Sequence, residues 1–177
     1  MLANQGDASK AAKYFKYALK LDPNSVPASF GLGKSLHSVT GNANAAIPHY
    51  QKCIEKDPNH YKAYCQLGMI YLEKMELDKS ADCLKKCLAI NPKHVLGLVA
   101  MGNLLFETGH SLHAAKYHQQ ALKYNPKDVQ ANVGMGNALY DLEKASEAIE
   151  YYQRALEFDD KIADVHYNLG NALYLMK

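Results

Sequence analysis

The sequence has no tryptophan and only 4 phenylalanines, so its aromatic content rests on 13 tyrosines. No apolar run approaches the roughly 20 residues that cross a bilayer, and no membrane insertion is expected. The opening residues, MLANQGDASK, lack a charged segment followed by an apolar core, the mark of a secretory leader. Neither charge sign dominates, with Lys+Arg 20 against Asp+Glu 18 and a net charge of +2. A protein that binds by neutralising many phosphates carries a basic surplus, so nucleic acid is not an expected partner. Cysteines number 4, at Cys53, Cys65, Cys83 and Cys87, and form no disulfide-like framework. Reduced thiols and a cytoplasmic protein are the expectation, with the nucleus left open. Hydrophobic residues make up 48% of the chain, which excludes a disordered one.

What the chain does contain is a copy of itself. Gly68, Gly102, Gly136 and Gly170 are spaced 34 apart, as are Pro58, Pro92 and Pro126, with Asp160 on the next beat. Cys53, Cys87, Ala121 and Ala155 keep the same interval with a small residue each time. Upstream the interval is 35, from Gly33 to Gly68, Pro23 to Pro58 and Ala18 to Cys53. One extra residue between Gly33 and Gly41 accounts for all of these offsets. A fixed period of this length signals stacked supersecondary units.

Each unit reads as two helices. Tyr64, Leu67, Gly68 and Tyr71 share one amphipathic face, and Ala81, Leu84, Cys87 and Leu88 share another. The INP that follows ends the second helix, because proline lacks an N–H and disfavours helical geometry before it. Gly68 and Cys87 are small enough to let helix axes approach closely. A pair of this size cannot bury its own apolar faces, so neighbouring pairs must stack.

The pattern xxxLGxxYxxxGxxxxAIxxYxxALxxxP resembles the tetratricopeptide repeat and recurs along the chain. Gly136, Leu139, Ala148, Ile149, Tyr152, Ala155 and Leu156 match one copy, and His166, Leu169, Gly170 and Leu173 begin the next. Departures are local: Cys53 and Cys87 stand for alanine, His118 for an aromatic and Asp160 for proline. Pro48 falls inside a second helix, where a kink or altered turn is expected. The resemblance implies an all-α fold, a right-handed solenoid of antiparallel helix pairs. Its phase gives complete repeats at 26–60, 61–94, 95–128 and 129–162, flanked by partial repeats at 1–25 and 163–177. A fragment of a longer array is therefore expected.

Several strings suggest chemistry. GNALY, at Gly136–Tyr140 and Gly170–Tyr174, could be a phosphate loop, but no strand precedes it and no GxxxxGK accompanies it. Cys83 and Cys87 share a helix face that could suit a metal, although Cys87 occupies a repeat position for small buried residues. His110, His113 and His118 are near one another in sequence, yet no nucleophile or base partner stands out. No catalytic residue, cofactor or metal is assigned, and the chain is read as a non-enzyme.

The family resemblance implies that the first helices line a concave groove for a partner protein or peptide. Counting from each repeat start places Lys62, Cys65, Gln66 and Met69 there, then Val99, Asn103 and Phe106. Val133, Asn137 and Tyr140 follow, then Tyr167, Asn168, Asn171 and Tyr174. Asn103, Asn137 and Asn171 make a ladder one repeat apart, whose carboxamides could both donate and accept. Phe106, Tyr140 and Tyr174 add apolar area beside it. Repeats that clamp acidic chaperone tails match at Asn137 and Asn168 but not at Val133, Ala100 or Gly134, so that partner is not expected. The lining is closer to the grooves of cell-cycle scaffolds and of O-linked N-acetylglucosaminyltransferase repeats. The reading is a protein-interaction scaffold, the alternative being the recruiting arm of a larger enzyme such as a glycosyltransferase. The partial repeats at the two ends are complementary halves, so head-to-tail self-association is also expected.

Overall fold

A computed structural model describes residues 2–40 and 43–176, with side chains placed for 9–38 and 43–176. Among the described residues there are ten helices and no strand, an all-α repeat solenoid. The chain divides into two compact units, Met1–Ile90 and Asn91–Lys177. The first holds α1 (Leu2–Leu21), α2 (Val26–Thr40), α3 (Ala43–Lys56), α4 (Tyr61–Glu73) and α5 (Leu77–Ile90). The second holds α6 (Val95–Glu107), α7 (Ser111–Tyr124), α8 (Val129–Asp141), α9 (Ala145–Phe158) and α10 (Ala163–Leu175). Within each unit, every helix packs on the next in sequence. In the second unit α6 also packs on α8, and α8 on α10.

The turns follow from local chemistry. At four of the junctions where a second helix gives way to the next first helix, an Asp or Asn side chain accepts from the backbone two residues on. Asp22 takes the N–H of Asn24 and Asp57 that of Asn59, both at 3.0 Å. In the second unit Asn91 takes that of Lys93 at 3.2 Å and Asp159 that of Lys161 at 3.1 Å. These Asx turns stop the helix with or without proline, so Asp160 in place of proline leaves the turn intact. Asp128 then caps α8 by accepting from Ala131 N at 2.9 Å, and His60 Nδ1 caps α4 from Ala63 N at 3.1 Å.

The turns inside a helix pair need one left-handed residue. Gly109 supplies it at φ 75°, but Met75 and Glu143 adopt φ 58° and 59° at the same repeat position. A β-carbon in that region costs roughly 1–2 kcal/mol. The corresponding Gly41 lies outside the described residues. The extra residue inferred upstream of it falls where α2 runs 15 residues against 13 for α4. Pro48 sits exposed in α3, which continues unbroken through it. The bond it cannot donate would have gone to the carbonyl of Asn44, one turn earlier.

The core is organised by glycines. In the first unit, a β-carbon on Gly68 would lie 2.6 Å from Leu84 Cγ, and one on Gly33 would lie 3.0 Å from the Tyr50 ring. In the second, Gly102 faces His118 at 2.6 Å and Gly136 faces Tyr152 at 2.5 Å. Tyr50, Leu84, His118 and Tyr152 occupy one repeat position, 34 residues apart, and all are fully buried. Burying a side chain the size of leucine contributes about 2 kcal/mol. Ser80 adds a buried bond across the first unit, donating to the Gly68 carbonyl at 2.8 Å. The small residues Cys53, Cys87, Ala121 and Ala155 are also fully buried, which lets the second helices sit close to their neighbours.

Gly170 is the exception, since a β-carbon there meets nothing within 4 Å. Gly136→Ala should therefore lose about 2 kcal/mol of stability through overpacking against Tyr152. Gly170→Ala should be neutral or gain up to about 1 kcal/mol from helix propensity. Urea denaturation of the two variants checks the contrast.

Candidate functional site

The sequence-derived groove residues divide between the two units. Lys62, Gln66 and Met69 lie on α4 of the first, where Lys62 is exposed and the other two are half-buried. Cys65, placed with them by counting, is fully buried. Val99 on α6 is likewise buried. Both are corrected to core positions, because helix spacing alone does not say where a neighbouring helix covers a face.

The second unit brings the remaining residues onto three adjoining first helices. Asn103 and Phe106 lie on α6, Asn137 and Tyr140 on α8, and Tyr167, Asn168, Asn171 and Tyr174 on α10. Phe106 and Tyr140 are half-buried, resting against the apolar cluster around Met135, Leu139 and Tyr152. Tyr167 and Tyr174 are open, at 70% and 75% exposure. The centre of the face is a polar junction. Asn137 Oδ1 accepts from Tyr152 Oη at 2.9 Å and from Asn168 Nδ2 at 3.1 Å. Burial, and secondarily Tyr140, pushes the Tyr152 phenol up to about 12, so it remains a donor at neutral pH.

That junction changes what the asparagines can do. The carbonyl oxygen of Asn137 is engaged within the fold, joining α8 to both α9 and α10. Its amide hydrogens take no part in this junction. Asn103 and Asn171, the other rungs of the ladder, are half-buried. Sequence spacing found the rungs but missed Asn168 as the cross-link, because its neighbour is defined only by helix packing.

Family models described as tetratricopeptide repeat match residues 2–60 and 49–82, and one described as TPR repeat matches 136–177. This is a tetratricopeptide-repeat protein. No curated protein matches its sequence. Among solved structures, MamA is 26% identical with a TM-score of 0.71, over 92% of this chain and 88% of MamA. YrrB, described as a TPR protein with an unusual peptide-binding site, is 24% identical with a TM-score of 0.73. That match covers 94% of this chain and 85% of YrrB. A chain of the APC/C hetero-tetramer Cut9–Hcn1 is 22% identical, with a TM-score of 0.90 over 97% of this chain. The present chain spans 34% of that one. The last two likenesses establish the shared fold.

The other candidate groups of this repeat protein are also placed. His110 and His113 are exposed at the start of α7, with ring centroids 6.4 Å apart, and His110 Nδ1 lies 3.1 Å from Thr108 Oγ1. His118 is fully buried, so the three do not form one cluster on the surface. The cysteine contact is not the i, i+4 pair suggested by spacing. Cys87 instead meets Cys65 across α4 and α5, with sulfurs within 4.8 Å. The hydrogen bond to Cys87, together with burial, drives the Cys65 thiol well above its ordinary range, as expected of core thiols. Cys53 donates weakly to the Val26 carbonyl at 3.5 Å. Among the described residues, no helix is long and apolar enough to cross a membrane.

His118 carries a measurable consequence. Its ring is held between Gly102 and Gly134, and neither nitrogen has a hydrogen-bond partner among the described residues. Burial lowers its pKa from 6.5 to about 4, against a smaller opposing pull from Asp128. The unfolded chain binds the extra proton first, so the neutral ring's stability is present above pH 6.5 and falls as pH drops toward 4. The full loss is about 3 kcal/mol. Comparing His118→Leu with the parent chain by urea denaturation at several pH values should show a shallower acid decline in the variant.

Proposed function

We propose that this protein is an interaction scaffold that binds an extended segment of a partner protein along the α6–α8–α10 face of its second unit. The observation that supports this most directly is the pairing of a rigid amide junction, Asn137 with Asn168, with the open rings of Tyr167 and Tyr174. Free amide hydrogens on Asn137 can meet backbone carbonyls of an extended chain. Flanking tyrosines offer large contact area at small entropic cost, since each ring has few rotatable bonds. The face contains no nucleophile–base pair, and the chemistry it suits is recognition. It would serve equally as the recruiting arm of a larger enzyme. On α4 of the first unit, Lys62, Gln66 and Met69 form a second candidate contact surface.

A capped positional-scanning peptide library tests the reading. Tyr167→Ala and Tyr174→Ala should each weaken the best selected peptide by about tenfold. Asn137→Ala is a poorer probe, because it also strips Tyr152 of its acceptor. Unchanged affinity in both tyrosine variants would remove this face from the account.

A second reading, self-association, is favoured by the slot at Gly170. One repeat earlier the matching glycine is filled by Tyr152, whereas Gly170 is open and Leu173 beside it is exposed. The register residue on α1 is Phe15, which packs on Gly31 and has the exposed Tyr14 and Tyr17 next to it. We infer that α1 of one copy can cover α10 of another, a heterologous contact that would extend as an open chain. Light scattering over a concentration series should show rising mass, and a constant monomer mass throughout would sink this reading.

A further inference from the structure

Asn132, near the start of α8, departs from the pattern of its register. The positions at 34-residue spacing hold Tyr64, Leu98 and His166. Beside Asn132 lies a cleft of about 490 Å³, walled by α7 and α9 and lined also by Pro126 of the turn that joins α7 to α8. Helices α7, α8 and α9 each pack on the preceding and the following helix, so the cleft is internal to the second unit. None of the residues assigned to the α6–α8–α10 face lines it.

The floor of the cleft is an acceptor held in one orientation. Asn132 is 1% exposed, and its Nδ2 donates to the carbonyls of Pro126 at 3.2 Å and Asp128 at 2.8 Å. Both amide hydrogens are thereby used, and reversing the amide would set its oxygen against two carbonyl oxygens. Asn132 Oδ1 has no donor among the described residues, so an occupant meets this side chain through an acceptor alone. An occupant without a donor would strand that oxygen away from water, which selects against it. Leu122, Pro126 and the half-buried Tyr151 supply apolar contact around it.

The rim is positive. Lys123 on α7 lines the cleft and has no ion-pair partner among the described residues. Arg154 on α9 lies 5.0 Å from the centre of the Tyr151 ring and reaches Glu150 at 3.5 Å, which offsets its charge. Gln119 and Gln120 complete the lining and are neutral. Outside the lining, Lys127 and Asp128 in the turn are of opposite sign, as are Lys116 on α7 and Glu157 on α9. Lys123 therefore carries the uncompensated charge.

We propose that this cleft binds a partner segment in which a tryptophan or tyrosine adjoins an aspartate or glutamate. The aromatic body packs on Leu122, Pro126 and Tyr151, and its N–H or O–H donates to Asn132 Oδ1. The neighbouring carboxylate meets Lys123 at the rim, where charge governs selectivity and encounter more than total affinity.

The test is a capped positional-scanning peptide library presented to the parent chain, to Asn132→Leu and to Lys123→Glu. The parent should enrich tryptophan or tyrosine over phenylalanine, beside an acidic residue. Changing the selected aromatic to phenylalanine should weaken binding to the parent about tenfold, and Asn132→Leu should abolish that difference. Lys123→Glu should turn the flanking preference from acidic to basic residues. Leucine already stands at the equivalent position as Leu98, and circular dichroism with thermal melting checks that Asn132→Leu folds. If it does not, the phenylalanine peptide and Lys123→Glu decide between them. Equal binding of the two peptides by the parent, or an unchanged selection by Lys123→Glu, overturns the cleft. If the peptides then depend on Tyr167 and Tyr174, the α6–α8–α10 reading stands alone. Peptides that depend on Lys123 but not on those tyrosines support the cleft and count against that face. No peptide binding by the parent overturns both.

Discussion

Within each helix pair, a backbone position with no side chain is pressed against a full-sized one, and the remaining packing is arranged around that contact. Gly68 against Leu84 shows it in the first unit, and Gly136 against Tyr152 in the second. The glycine lets two helices approach closely enough for the opposing side chain to fill the space between them without a void. The identity of that side chain can then vary among tyrosine, leucine and histidine, because the requirement is volume. What varies with it is the fate of its polar atoms. Tyr152 finds Asn137, whereas Tyr50 Oη and both nitrogens of His118 have no partner among the described residues.

The link from this contact to the proposed recognition face runs through Asn137. Its carbonyl oxygen ties the buried phenol of α9 to the amide of Asn168 on α10, so one residue joins the core to the exposed first-helix face. A surface supported in this way is preorganised, since its polar groups are held by bonds already made.

Much of the fold was legible in the sequence because each repeat is an independent copy of one physical solution. Glycine, small-residue and Asp/Asn-Pro positions recurred together, and helices start at Val26, Tyr61, Val95, Val129 and Ala163. The candidate surface was legible only in outline. Counting from repeat starts located Asn137, Tyr140, Tyr167 and Tyr174 on the first helices but also gave Cys65 and Val99, which are buried. Turn residues were harder still. Gly109 announces its left-handed backbone, but Met75 and Glu143 adopt it against their own preference, because the helices on either side dictate the turn.

The sequence by itself determined the period, the helix pairs, the stops between them and the glycines that allow close packing. Each of these is set by local backbone chemistry and by periodic burial, which a linear pattern records. Only the tertiary structure decided that Cys87 meets Cys65 and not Cys83, and that Asn168 reaches Asn137. Those outcomes depend on which side chains two helices bring face to face. That depends in turn on helix separation and rotation, which residue order along one helix does not encode.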